Sequence, residues 1–376
     1  DWSDEAPEDI YAKLKKMPGY YNFSERVLGD VVSEIRQKGL KNTWQARAMW
    51  NKARMSDRDI SDVTGYAYTF LMNGNTPEQG FQALFNKGER VRLRFINAAA
   101  MTIFDVRIPG LKMTVVASDG QNIEPVSVDE FRIGVAETYD VIVEPDTEQA
   151  YCLFAQSIDR TGFAVGTLTS DPRLHAEIPK MDPAPILGHS DMGMSMPGMA
   201  AMSMTNDNAM AHMAHSAQRM QEKPHGHATG ATGLARAGMG STREIEHLAS
   251  EFGPHVDMRA DSPRNGLYDP GIGLRQHQAL YGRKVLTYAD IAALRPTRDK
   301  RDPGREIQLH LTGNMSRYMW SVNGIKFADA QPLQLKFDER VRITLVNDTM
   351  MTHPMHLHGM WSELETGDAN FIPLKH

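Results

Sequence analysis

The chain reads as an all-β protein, built from antiparallel β-sandwich domains joined by helical and low-complexity segments. Three observations predict this. From Thr64 onward, apolar and polar residues alternate with a period of two in short runs. Turn-forming pairs such as Asn73-Gly74, Pro109-Gly110 and Asp119-Gly120 separate those runs. The third is an internal repeat at a constant offset of 250: Tyr68 matches Tyr318, Asn73-Gly74 matches Asn323-Gly324, and Glu89-Arg90-Val91-Arg92 matches Glu339-Arg340-Val341-Arg342. Asn97 then matches Asn347, and Met101-Thr102 matches Met351-Thr352, with no gap. Two copies of one β domain follow from this register.

Taken in order, residues 1–62 predict helices. Acidic residues around Pro7 suit a first turn, and Ile10, Tyr11, Leu14 and Met17 recur at helical spacing up to Pro18-Gly19. Helical patterns return over Val27–Ile35 and Trp44–Met55. Residues 63–171 predict the first complete sandwich. Its strands are expected at Tyr66–Met72, Arg90–Phe95, Phe104–Ile108, Met113–Ala117, Phe131–Val135, Tyr139–Val143 and Tyr151–Ala155. Residues 172–303 are rich in Pro, Gly, Ala, Ser, Met and His, and predict a largely disordered linker, above all over 183–245. Sandwich patterning resumes at Glu306–Leu311, so 304–376 predict a second, truncated copy.

Composition narrows the function. A net charge of −6 argues against nucleic acid or an anionic membrane surface as the main partner. No apolar run approaches the ~20 residues of a membrane span. Cys152 is the only cysteine, which excludes an intramolecular disulfide. It lies in the expected strand Tyr151–Ala155, far in sequence from any histidine pair, and reads as a small buried hydrophobe. The opening residues, Asp1-Trp2-Ser3, and the closing Leu374-Lys375-His376 read as cuts in a longer protein, so no compartment follows from them.

The chemistry concentrates in Thr352-His353-Pro354-Met355-His356-Leu357-His358-Gly359. On an extended chain His356 and His358 project from one face. His353 stands three residues earlier, across a proline that disfavours helix, and is free to face elsewhere. Neutral imidazole suits copper, zinc, iron or nickel. The repeat isolates this chemistry, because Ile103, Val106 and Ile108 occupy the equivalent positions in the first copy. The strand scaffold alone does not call for histidine there.

A second feature is a methionine and histidine tract. Met192, Met194, Met196, Met199, Met202, Met204, His212, Met213 and His215 are expected to form weak Cu(I) sites, since soft thioethers select that ion. Low-complexity drift is the plainer account of the same composition. Trp361, Glu363 and Glu365 suit either a substrate entrance or an exposed acidic loop.

The run from His353 to Gly359 resembles the H-P-x-H-L-H-G signature of multicopper oxidases, whose domains are cupredoxin-like Greek-key β-sandwiches. Leu71-Met72-Asn73-Gly74, Phe104 to Gly120, Leu311 to Met315 and Asn347 to Met351 are similar to the bacterial copper-resistance branch of that family. The resemblance covers nearly all of the chain except the Met-rich tract. It implies a periplasmic oxidase that takes electrons from Cu(I) or phenol-like donors at a type 1 copper and reduces O2 to water at a centre of type 2 and type 3 coppers. It further implies that His353 is a type 1 ligand, His356 a type 2 ligand and His358 a type 3 ligand, with other periplasmic copper-resistance proteins as partners.

Two family features are absent from this sequence: the first-domain His-x-His pairs and the closing His-Cys-His segment. On the resemblance, residues 1–62 then connect from a first cupredoxin domain outside the sequence, and the polypeptide is expected to be an internal fragment without oxygen-reducing activity of its own. The rival reading is a copper-sequestering cupredoxin protein without turnover.

Overall fold

A computed structural model describes residues 1–22, 27–53, 56–193 and 235–376. The first copy is a sandwich of two sheets. Strands β1 (Phe81–Leu84), β3 (Phe104–Arg107), β6 (Glu130–Ile133), β8 (Tyr151–Ser157) and β9 (Phe163–Thr169) form one sheet in the order β1-β9-β8-β3-β6. Strands β2 (Val91–Ile96), β4 (Met113–Ser118), β5 (Gln121–Val128) and β7 (Thr138–Val143) form the other, in the order β2-β7-β4-β5. Between them lies a core that includes Phe131, Met113, Val115, Val141 and Leu168, with an aromatic row from Phe95 through Phe131 to Tyr139. Alternation in β7 puts Tyr139, Val141 and Val143 inside and leaves their neighbours half-exposed.

One expected strand is corrected and three strands are added. Tyr66–Met72 is not a strand; single bridges, Trp2 to Thr69 and Met72 to Asn75, hold it. The edge strands β1 and β5, and β9 with Gly166 at its middle, lie outside the sequence reading. Pro125 sits within β5, which an edge strand tolerates because only one side needs its backbone donors.

The repeat is present in the geometry. Asn73 and Gly74 (φ 49° and 80°) turn the chain as Asn323 and Gly324 do (φ 54° and 73°), each pair closing a two-residue hairpin. Asn97 Oδ1 accepts from the Ala99 backbone N–H at 3.0 Å, and Asn347 Oδ1 accepts from the equivalent Thr349 backbone N–H at 3.0 Å. In the second copy β10 (Arg305–Asn314) pairs with β11 (Met319–Val322) and, in parallel, with β12 (Val341–Asn347). A two-stranded ribbon, β13 (Ser362–Glu363) with β14 (Leu374–Lys375), follows.

Helices α1 (Pro7–Lys16), α2 (Leu28–Lys38) and α3 (Leu40–Ala53) form within residues 1–62 as expected. Helix α1 starts with Pro7, Glu8 and Asp9 and ends with Lys13, Lys15 and Lys16, complementing its dipole at both ends. Its buried side, Ile10 and Leu14, packs with Tyr21, Val63 and Tyr318. The Tyr318 hydroxyl donates to Asp62 at 2.8 Å. Burial pushes the Asp62 carboxyl up to about 7, against the Tyr318 hydrogen bond and with a further push from Asp59. The stability tied to a neutral Asp62 is therefore complete below the ordinary carboxylate range and lost as pH rises through about 7. Asp62→Asn keeps an acceptor for Tyr318 and is expected to stabilise the fold by about 1–3 kcal/mol near pH 8, with little effect near pH 4. Thermal scans at both pH values check this; an equal effect at both would contradict it.

The segment read as disordered linker is corrected over its described parts, 172–193 and 235–303. Every residue of β8 is buried, so the outer face of its sheet has a cover. Asp182 supplies part of it, accepting from Gln156, Arg107 and Arg283, while its own backbone N–H donates to Gln156. Further on, Val285 bridges to Glu130, Ala293 bridges to Ile123, and Leu286 and Ile291 join the first copy's core. Met192, the first of the expected Cu(I) thioethers, is 2% exposed among Trp50, Ile103, Leu187 and Met258; it fills core space. The remaining expected thioethers and imidazoles, Met194, Met196, Met199, Met202, Met204, His212, Met213 and His215, lie outside the described residues.

Candidate metal centre

Strand β12 delivers the chain to the histidine motif, and the turn after it is pinned by Asn347. Asn347 Oδ1 accepts from the Thr349 backbone N–H at 3.0 Å and from the Thr349 hydroxyl at 2.7 Å. In the first copy the chain then enters β3, between β6 and β8, where Ile103, Val106 and Ile108 are buried. In the second copy residues 352–357 pair with no strand. His356 and His358 are consequently exposed, where their first-copy equivalents are core.

The three imidazoles divide as their spacing suggests. His356 and His358 lie side by side, ring centroids 4.7 Å apart at 37°. His353 is half-buried and meets Trp320 edge-on at 4.7 Å. Its Nε2 is 3.1 Å from the Thr349 hydroxyl oxygen. That hydroxyl's proton is directed at Asn347 Oδ1, so the oxygen accepts and His353 Nε2 carries the ring hydrogen. Nδ1 of His353 is left with its lone pair free, the arrangement by which an outer hydrogen bond orients a metal-binding imidazole. Burial holds the ring's pKa down to about 4, so His353 is neutral at ordinary pH. Thr349→Val is expected to release the Nε2–H preference and bring in the other tautomer. Nitrogen chemical shifts of the His353 ring would show it, and an unchanged tautomer would refute the assignment.

His376, which the sequence reading did not single out, stacks on His356 at 5.3 Å and 23°, with Trp361 beside it at 5.5 Å. The first copy holds this corner. Asp119 accepts from the His376 backbone N–H at 3.0 Å, its carbonyl accepts from Trp361 Nε1 at 3.1 Å, and Glu137 takes Lys375 at 2.6 Å. Only the ribbon β13–β14 brings His376 back to the motif, and no local signal announces it. Glu363 and Glu365 are not a free acidic loop: they pair with Arg340 at 2.5 Å and with Arg342 at 2.8 Å. Cys152 is buried in β8 beside Phe154 and Val165, with its thiol pushed up to about 11 by that burial.

Three imidazole nitrogen donors, one separated from an exposed pair, fit copper in both ligand type and division. A family model described as multicopper oxidase matches residues 41–172, and a second with the same description matches 300–372, one on each repeat. Copper resistance protein A of Escherichia coli is 51% identical over 393 residues, which cover 100% of this chain and 63% of that protein. A copper resistance protein A homolog of Pseudomonas syringae pv. tomato is 52% identical over 389 residues, covering 100% and 62%. The multicopper oxidase MmcO of Mycobacterium tuberculosis is 24% identical over 313 residues, covering 83% and 42%. The chain spans a little under two thirds of the length of the two copper resistance proteins.

Proposed function

Since this chain belongs to the multicopper oxidase family, with cupredoxin-like β-sandwich domains, we propose that it supplies three copper ligands to a copper-resistance oxidase. The observation that carries this is the division of the motif: His353 turned in against Trp320, His356 and His358 together at the surface. In this reading His353 is a type 1 ligand through Nδ1, His356 a type 2 ligand and His358 a type 3 ligand. Copper, when bound, supplies one-electron transfer from Cu(I) or phenol-like donors and the four-electron reduction of O2 to water. The chain's own residues orient the donors. Thr349 fixes the His353 tautomer, and Asn347 fixes Thr349. Trp361 and Lys375, anchored on Asp119 and Glu137, hold the corner around His356 and His376.

A periplasmic setting goes with this reading, supported by the likeness to copper resistance proteins. No described helix is long and apolar enough to cross a membrane.

The cysteine thiolate of a blue copper site is not at hand, because Cys152 is buried in the histidine-free copy. Oxygen uptake by the copper-loaded 376-residue chain, with Cu(I) or a phenol as donor, is therefore expected not to exceed that of free copper. Four-electron O2 reduction by this chain would overturn the assignment of His353, His356 and His358 as part of a larger ligand set. Sequestration without turnover is favoured instead if a longer polypeptide carrying both flanking regions binds copper and also fails to consume O2.

A further inference from the structure

Away from the motif, four side chains converge inside the second copy. His310 comes from β10, Asp348 from the turn after β12, Glu251 from the short 3-10 helix Ala249–Phe252, and His247 from just before it. One ligand atom from each lies within 4.8 Å of the other three. Glu251 is 0% exposed, His310 and Asp348 1% each, and only the His247 side chain reaches the surface. From this geometry we propose that His247, Glu251, His310 and Asp348 form a cation site for a divalent transition metal ion of the Zn2+ or Cu2+ type, separate from His353, His356 and His358.

Two carboxylates buried this deeply need a compensating positive charge. Among the described residues no Lys or Arg forms an ion pair with either; their partners are the two imidazoles. The neighbouring Arg259 gives its guanidinium to the Glu251 backbone carbonyl and the Phe252 ring. An internal comparison shows what the fold does elsewhere. The buried group Glu130, Asp182 and His277 is compensated by two guanidiniums, Arg107 and Arg283, the latter 2.7 Å from Asp182 and 3.5 Å from Glu130. The His247 group has no such partner.

His247 Nε2 lies 3.0 Å from the Ala260 carbonyl, which can only accept, so Nε2 bears a hydrogen. In the neutral ring Nδ1 is then a bare lone pair, yet it sits 2.8 Å from Glu251 Oε2. A lone pair and a carboxylate oxygen at that distance require something shared between them: a proton, held on the ring or on the Glu251 carboxyl, or a metal ion. The hydrogen bond from Nε2–H to a backbone carbonyl is the usual outer support of a metal-bound imidazole. Ala260 supports the opposite ligand too, its N–H donating to Asp348 Oδ1 at 2.8 Å.

Ligand atoms about 2.0–2.1 Å from a tetrahedral ion stand about 3.4 Å apart. The four nitrogen–oxygen separations are 2.8, 3.8, 3.4 and 2.7 Å, straddling that value. Glu251 Oε1 is buried without a hydrogen-bond partner and so is free to turn toward an ion. The repeat again supplies a control, because Ala98 occupies the position equivalent to Asp348.

The test uses Co2+ as a spectroscopic probe, with the full chain carrying His353→Ala, His356→Ala and His358→Ala as background. We expect one Co2+ to be retained through dialysis, with the intense visible bands of four-coordinate cobalt, and displaced by Zn2+. Adding Glu251→Gln is expected to abolish those bands. Adding His247→Ala, at the rim and with the least cost to folding, is expected to weaken binding roughly 10–100-fold. The proposal fails if the background chain shows no four-coordinate cobalt, or if folded Glu251→Gln and His247→Ala chains bind Co2+ as the background does. In those cases a shared proton, not a metal, lies between His247 and Glu251.

Discussion

Asp105→Ala is expected to destabilise the first copy by about 3–5 kcal/mol, the range for breaking a buried ion pair from one side. Asp105 is completely buried in β3 and takes Arg132 in a two-pronged pair at 2.7 and 3.0 Å, with Arg160 at 2.7 Å. Removing the carboxylate would leave the buried Arg160 and the partly buried Arg132 with backbone carbonyls as their remaining partners: Ser157 and Ile158 for Arg160, Ile272 for Arg132. Burial works against ionisation of Asp105, but the two arginines outweigh it and hold its pKa below the ordinary value. The stability it contributes is therefore present above the ordinary carboxylate range and lost as pH falls through the lowered value. Denaturant unfolding should show the deficit near neutral pH and a smaller one in strong acid. A loss under about 1 kcal/mol, as for an exposed pair such as Arg92 with Asp140, would mean that the arginines find other partners.

The double variant His356→Ala with His358→Ala is expected to lower Cu2+ affinity on the order of 100-fold or more, since both donors of one corner go at once. Stability should move by less than about 0.5 kcal/mol, because both rings are exposed. With His247→Ala and Glu251→Gln as background, so that the His247 group does not contribute, paramagnetic resonance of the copper-loaded chain should show nitrogen coupling that the double variant loses and that His353→Ala keeps, because His353 faces Trp320 on its own. If the double variant holds copper as tightly and with the same coupling, the metal is bound elsewhere, with the methionine and histidine tract the first place to look.

Much of the first copy was legible from period and turn chemistry. Strands β2, β3, β4, β6, β7 and β8 fall on alternating or apolar runs, and the Asn-Gly pairs sit at hairpins with positive φ. The strands that were not legible are those whose identity rests on distant partners. β1 runs parallel to β9, a pairing that no local pattern encodes. β5 carries Pro125, which would exclude an inner strand but is acceptable on an edge. The linker failed in the same way: Asp182 is an ordinary residue of a Pro-rich stretch until the fold sets Arg107, Gln156 and Arg283 around it.

For the site, the sequence by itself determined which side chains are available as donors. The spacing of His353, His356 and His358, set against Ile103, Val106 and Ile108 in the other copy, separates three donors from a scaffold that does not need them. Donor type and interval are properties of the sequence, so they are legible before any packing. Only the tertiary structure decided which nitrogen of His353 is free, that His376 returns to stack on His356, and that His247 and His310 meet Glu251 and Asp348. Those outcomes depend on hydrogen bonds and charges between segments far apart in the chain. Their strength comes from burial, which exists only once both copies have packed.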